Sequence, residues 1–73
     1  MGTISFINNT ELDIYVSVTA MGESGDESFF TIQPGGQQDW SRSNTQAAFV
    51  YRVDSQETLT KVVFVGRPPY SIM

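Results

Sequence analysis

The residues best suited to binding chemistry lie around the single tryptophan of the chain. Asp39, Trp40, Arg42 and Asn44 offer a carboxylate, an aromatic ring, a guanidinium and an amide in one short stretch. Carbohydrate recognition combines these groups, with the ring as a platform and the polar groups as hydrogen-bonding partners. We therefore expect a carbohydrate site at these four residues, presented at the end of a strand. The alternative is that Trp40 belongs to the core, where a large aromatic residue of a small domain usually packs.

A second group of candidate residues predicts an interface. Tyr15 and Met21 fall on the nominally polar side of an alternating stretch, and Tyr70 follows the rigid pair Pro68-Pro69. Aromatic and methionine side chains on a polar sheet face indicate contact with a second sheet or with another chain. Tyr15, Met21 and Tyr70 are therefore predicted interface residues.

Catalysis and metal binding receive no support from the composition. The chain contains neither histidine nor cysteine, so the common bases, nucleophilic pairs and thiolate metal sites are absent. The acidic pairs Glu11/Asp13 and Asp26/Glu27 have no apolar surroundings that would raise a carboxyl pKa. The acidic stretch 22–27 lacks the ligand spacing of a calcium loop. We expect no enzymatic activity, no metal and no cofactor.

The charge balance limits the kinds of partner. Four basic residues against eight acidic ones give a net charge of −4, which disfavours nucleic acid and anionic membrane surfaces. No apolar run approaches the about 20 residues that a membrane-spanning helix needs. The first residues lack the basic and apolar regions of a secretory signal, so we expect a cytoplasmic protein, with leaderless secretion as the alternative.

The elements that must position these residues are strands. Apolar residues fall on every second position of residues 12–21, and this period predicts a strand with one face on the core. Its predicted core residues are Leu12, Ile14, Val16, Val18 and Ala20. Further strands are expected at 3–7, 28–33, 37–41, 47–54 and 58–65, with a short edge strand at 70–73. The 58–65 strand is apolar on both faces near its end, which predicts a central position or one between a sheet and a covering segment.

Strand signals at regular spacing, separated by Gly, Pro and Asn turns, indicate an all-β fold. We predict one domain over residues 1–73, a small antiparallel β-sandwich or partly open barrel of about six short strands. Its small core and exposed strand edges predict a homodimer or higher oligomer, formed through edges or sheet faces.

Three functions are compatible with these features. The first is a non-catalytic, lectin-like carbohydrate-binding protein that uses Trp40 and its polar neighbours. The second is a protein–protein interaction, inhibitor or assembly module that acts through the Tyr15/Met21 sheet face. The third, by analogy of fold alone, is a membrane-active β-sandwich defence protein.

Overall fold

Seven strands make up the regular structure of residues 2–73, which is the part of the chain that the computed structural model describes. They are β1 (Gly2–Asn8), β2 (Ile14–Val18), β3 (Phe30–Ile32), β4 (Gln37–Arg42), β5 (Gln46–Arg52), β6 (Glu57–Val63) and β7 (Tyr70–Ile72). The described residues contain no helix, and hence none that could cross a membrane. The all-β prediction is confirmed, and the seven strands include the short edge strand expected at 70–73.

The strands form two sheets that pack as a sandwich. The small sheet has the order β4-β1-β7, and the large sheet has the order β3-β2-β5-β6. All neighbouring strands are antiparallel except β1 and β7, which run parallel. The predicted antiparallel β-sandwich is confirmed, and this one pair departs from it.

The core lies between the sheets and follows the alternation of the strands. Ile14, Val16 and Val18 of β2 are fully buried and face Ile4 and Phe6 of β1 across the sandwich. Burying these side chains supplies much of the stability, at about 1.5–3 kcal/mol for each large apolar residue. One predicted core residue is misplaced: Leu12 is 48% exposed, because β2 begins only at Ile14.

Strand β6 lies at the edge of the large sheet, so its predicted central position is wrong. Every residue of β6 except Val63 is exposed. The small sheet has one strand fewer than the large sheet, and even the core-side residue Leu59 remains 38% exposed. The side chains of the apolar run 62–65 alternate in direction. Val63 and Val65 contact the core, whereas Val62 and Phe64 face solvent.

Two turns at one end of the sandwich are fixed by particular residues. Gly35 has a φ of 79°, and the Gly36 amide donates to the Gln33 carbonyl at 2.8 Å, which makes the predicted Pro34-Gly35-Gly36 turn type II. Asn8 is fully buried beside it. Its amide nitrogen donates to the carbonyls of Leu12 and Ile32 at 2.8 Å each, so it joins the β1–β2 connection to β3.

The domain buries as much of its surface as an independent protein does. Its accessible surface is 4243 Å², close to the about 4,500 Å² typical of a monomer of this mass. This surface gives no sign of a missing core, and the predicted homodimer stays a prediction.

Candidate functional site

The four residues of the predicted carbohydrate site do not share a surface. Strand β4 alternates, so Asp39 points outward, whereas Trp40 and Arg42 point into the sandwich with 4% and 3% of their surface exposed. Asn44 is exposed in the turn between β4 and β5. Only Asp39 and Asn44 reach solvent, so the carbohydrate site stays a prediction that no contact in the structure supports.

Trp40 packs as a core residue. Its ring meets Phe6 and Phe30 edge-on, with centroids 5.8 Å and 5.9 Å away. The indole Nε1 is buried and has no hydrogen-bond partner within the described part of the chain. An enclosed ring of this kind contributes packing energy and cannot stack on a sugar.

Arg42 is a buried cation that binds backbone carbonyls. Its guanidinium donates to the carbonyl oxygens of Val18 (3.0 Å), Thr19 (2.8 Å) and Asp26 (2.6 Å), and to that of Ser41. These bonds hold the acidic loop after β2 against β4. A Cβ at Gly25 would lie 2.8 Å from Arg42 Cζ, so a side chain there would displace the guanidinium from its carbonyls. The role of Arg42 is therefore structural.

The acidic loop folds onto the β4–β5 turn through Glu23. Its carboxylate accepts hydrogen bonds from the amides of Ser43 (2.7 Å) and Asn44 (2.9 Å) and from Gln46 Nε2 (2.8 Å). Desolvation raises the pKa of Glu23, but these hydrogen bonds and the nearby Arg42 charge outweigh it, and the pKa lies below its usual value. Within residues 2–73, no three acidic side chains converge to hold a metal ion.

A cleft of about 470 Å³ opens near the ends of β1 and β5, but its chemistry is limited. Its two carboxylates belong to Glu11, which is exposed, and Asp54, which pairs with Arg52 at 2.7 Å. The hydrogen bond from Arg52 holds the pKa of Asp54 below its usual value. A general acid needs a raised pKa, so this hydrogen bond disfavours Asp54 in that role. The other lining residues are Asn9, Thr10, Leu12 and Met73.

The three predicted interface residues also lie apart. Tyr15 points outward from β2 and is 37% exposed, and Met21 is 58% exposed in the turn that follows this strand. Tyr70 belongs to β7 of the small sheet, where its ring lies 5.4 Å from Phe6 and its hydroxyl accepts from the Phe64 amide at 2.8 Å. Of the three, only Tyr15 stands on a broad sheet face.

That face, the outer face of the large sheet, carries more aromatic surface than the sequence analysis assigned to it. Strand register places Tyr15 opposite Tyr51, Phe49 opposite Ser17 and Thr60, and Val62 opposite Ala47. The rings of Tyr15 and Tyr51 are neighbours, with centroids 6.3 Å apart. Phe49 is 37% and Val62 is 64% exposed. The remaining strand positions on this side are small or carry hydroxyls: Ser17, Thr31, Ala47, Thr58 and Thr60.

None of the strand positions on this outer face carries a charge. Of the four cations, Arg42 is buried, and Arg52 and Lys61 occupy the core-side positions of β5 and β6. Arg67 lies beyond β6, with its guanidinium 5.2 Å from the Phe64 ring. Acids flank β2 in sequence at both ends, with Asp13 before it and the loop residues Asp26 and Glu27 after it.

The opposite face of the sandwich differs in character. Outward positions of the small sheet are mostly polar and include Thr3 and Ser5 of β1 and Gln37 and Asp39 of β4. The outer face of the large sheet thus carries exposed apolar side chains at strand positions, namely Tyr15, Phe49 and Val62, where the small sheet has mostly polar ones. Such an asymmetric patch is a marker of interaction surfaces.

No protein-family model, curated protein or solved structure matches the chain. Phe49, Tyr51 and Val62 were not predicted from the sequence to belong to this face. Their alternation was visible, but both sides of these segments are apolar, so the sequence alone did not show which side faces solvent. Knowing that β5 pairs with the clearly amphipathic β2 would have identified the side of β5 that faces solvent.

Proposed function

We propose that this protein is a non-catalytic protein-binding module that uses the outer face of the large sheet. The observation that supports it is the uncharged surface of Tyr15, Phe49, Tyr51 and Val62 on a chain of net charge −4. The centres of protein interfaces are depleted in charge and rich in aromatic residues, and this surface has both properties.

The acidic surroundings indicate the chemistry of the partner. Asp13 lies at one end of β2 and the loop residues Asp26 and Glu27 follow the other, while no cation occupies a strand position on the face. Electrostatic complementarity favours a partner with basic side chains around an apolar patch. The same charges oppose docking on an anionic membrane. The partner is therefore a protein surface or segment that combines apolar and basic residues.

Peptide display tests this proposal without a known partner. A random phage-displayed peptide library is selected on the immobilised protein, and enriched peptides are synthesised and titrated by calorimetry. We expect peptides that combine apolar residues with Lys or Arg, and binding that weakens as salt screens the charges. The test variant Phe49→Thr/Val62→Thr keeps β-forming residues while removing apolar surface. It should weaken binding by about tenfold or more.

Thr3→Ala, an exposed change on the opposite sheet, is the matched control and should bind as the wild type does. The proposal is wrong if no peptide is enriched, if the enriched peptides bind the double variant equally well, or if they lack basic residues. A glycan array run on the same three proteins separates the carbohydrate alternative. Saccharide binding that the double variant loses would replace the protein partner with a carbohydrate.

A further inference from the structure

Strand β6 is a long strand edge without a partner. It spans Glu57–Val63, and only β5 pairs with it within the described residues. None of its backbone groups makes a hydrogen bond to a turn or loop in this part of the chain. Residues 57–62 are all exposed, so a further strand can approach from the free side. Such an edge is a ready template for pairing with another strand.

The sequence of this edge is complementary to itself. Glu57, Leu59 and Lys61 occupy alternate positions and share the core-side face of the sheet, with Thr58 and Thr60 on the other face. In an antiparallel pair centred on Leu59, each Glu57 stands opposite the Lys61 of the second copy. Leu59 then meets Leu59, and Thr58 meets Thr60. Cross-strand pairs of opposite charge and of Thr residues both stabilise a sheet.

We propose that two copies of this chain associate through antiparallel pairing of their β6 edges in this register. The two large sheets would join into one sheet of eight strands. This inference goes beyond the proposed function, because it concerns the edge of the large sheet and not its outer face.

Lys61 supplies the strongest reason for a second copy as the occupant. It makes no hydrogen bond or ion pair within residues 2–73, and its cross-strand neighbour in the same chain is Ala48. Glu57, in contrast, stands opposite Arg52, which is already bound to Asp54. A β6 edge from a second copy brings an acid to Lys61.

The charges also select the register. Centring the pair on Thr60 would set Lys61 against Leu59, and centring it on Lys61 would set two like charges opposite each other. Centring it on Thr58 would place Lys61 opposite the uncharged Ser55. Among these neighbouring registers, only the one centred on Leu59 gives each Lys61 an acidic partner.

Sedimentation equilibrium of the purified chain from about 10 µM to about 1 mM tests the association. We expect a concentration-dependent dimer that Lys61→Glu weakens by about tenfold, since two attractive cross-strand pairs become repulsive. The double variant Glu57→Lys/Lys61→Glu should restore dimerisation, because the exchanged charges again meet opposite charges. Arg67→Glu is the matched control, with the same change in net charge outside β6, and thermal unfolding verifies that each variant folds.

Cysteine cross-linking tests the register, since the chain has no cysteine of its own. Leu59→Cys should form a disulfide dimer under mild oxidation, because residue 59 meets itself across the pair. Thr58→Cys and Thr60→Cys should cross-link poorly alone and readily when mixed. This pattern is specific to pairing centred on Leu59.

A monomer throughout the concentration range overturns the inference, and so does a dimer that Lys61→Glu and Arg67→Glu weaken equally. Stronger association of Lys61→Glu would mean that the lysine protects the edge from pairing. The outcome is separate from that of the proposed function, because Phe49→Thr alone, a change on β5 and outside the paired edge, should leave the dimer mass unchanged while it weakens peptide binding.

Discussion

Replacing Trp40 by phenylalanine measures what the buried indole contributes. The smaller ring removes about 40 Å³ of side chain, which at about 24 cal/mol per Å³ of residual cavity costs about 1 kcal/mol. The indole Nε1 is buried without a partner, and an unsatisfied polar group of this kind costs about 1–3 kcal/mol, which phenylalanine avoids. We therefore expect the free energy of unfolding of Trp40→Phe to lie within about 1 kcal/mol of the wild-type value, or to exceed it.

Trp40→Ala gives the opposite expectation. Deleting the ring removes its contacts with Phe6 and Phe30 and costs about 3–5 kcal/mol. A domain of this length has a total stability of about 4–11 kcal/mol, so the alanine variant should be marginal or unfolded. Urea unfolding followed by circular dichroism compares the three proteins, since the variants lack the tryptophan signal. In the wild type, Trp40 emission should be blue-shifted, resist iodide quenching and stay constant when sugars are added.

Two results would refute this reasoning. A loss of about 3 kcal/mol or more in Trp40→Phe would mean that the indole nitrogen has a hydrogen-bond partner in solution. Emission typical of an exposed indole, with quenching by iodide and a response to sugars, would mean that Trp40 is at the surface. The second result would restore the carbohydrate site that the sequence predicts.

Two further predictions concern the loop after β2. Arg42→Lys should lower the free energy of unfolding by about 2–4 kcal/mol in urea titrations, because one ammonium cannot reach all four carbonyls that the guanidinium binds. Glu23→Gln should reduce the loss of thermal stability on acidification. The folded-state pKa of Glu23 lies below the ordinary value of 4.5, so the stabilisation is present above pH 4.5 and disappears as the pH falls through the folded-state value. The same dependence of stability on pH in Glu23→Gln and wild type would contradict the second prediction. An Arg42→Lys variant as stable as the wild type would contradict the first.

Local pattern was sufficient to predict the strands and their principal turn. The alternation through Ile14, Val16 and Val18 identifies a buried face wherever the strand pairs, because successive side chains point to opposite sides. The Pro34-Gly35-Gly36 turn follows from residues that preset its dihedral angles. These features depend on interactions within a few residues, and the sequence contains them in full.

The position of each strand in its sheet depends on distant residues, and there prediction failed. Val62 and Phe64 made β6 look central, but the small sheet does not extend far enough to cover it. The types of Trp40 and Arg42 suggested a surface site, but alternation in β4 turns both side chains inward. Burial of an arginine is possible only because backbone carbonyls from another strand and a loop converge on it. No local sequence pattern predicts that these carbonyls converge on Arg42.

The distribution of the four cations connects the two proposals. Arg42 is used inside the fold, Arg52 binds Asp54, and Arg67 lies against the Phe64 ring. Lys61 is the remaining cation, and it has no partner within the described residues. The strand positions on the outer face of the large sheet carry no charge, and acids lie before and after β2, so the proposed function favours a basic partner for this face. The β6 edge carries both signs of charge in a self-complementary order and selects for its own copy. Because different charges govern the two surfaces, Lys61→Glu should weaken self-association by about tenfold while peptide binding to the outer face persists.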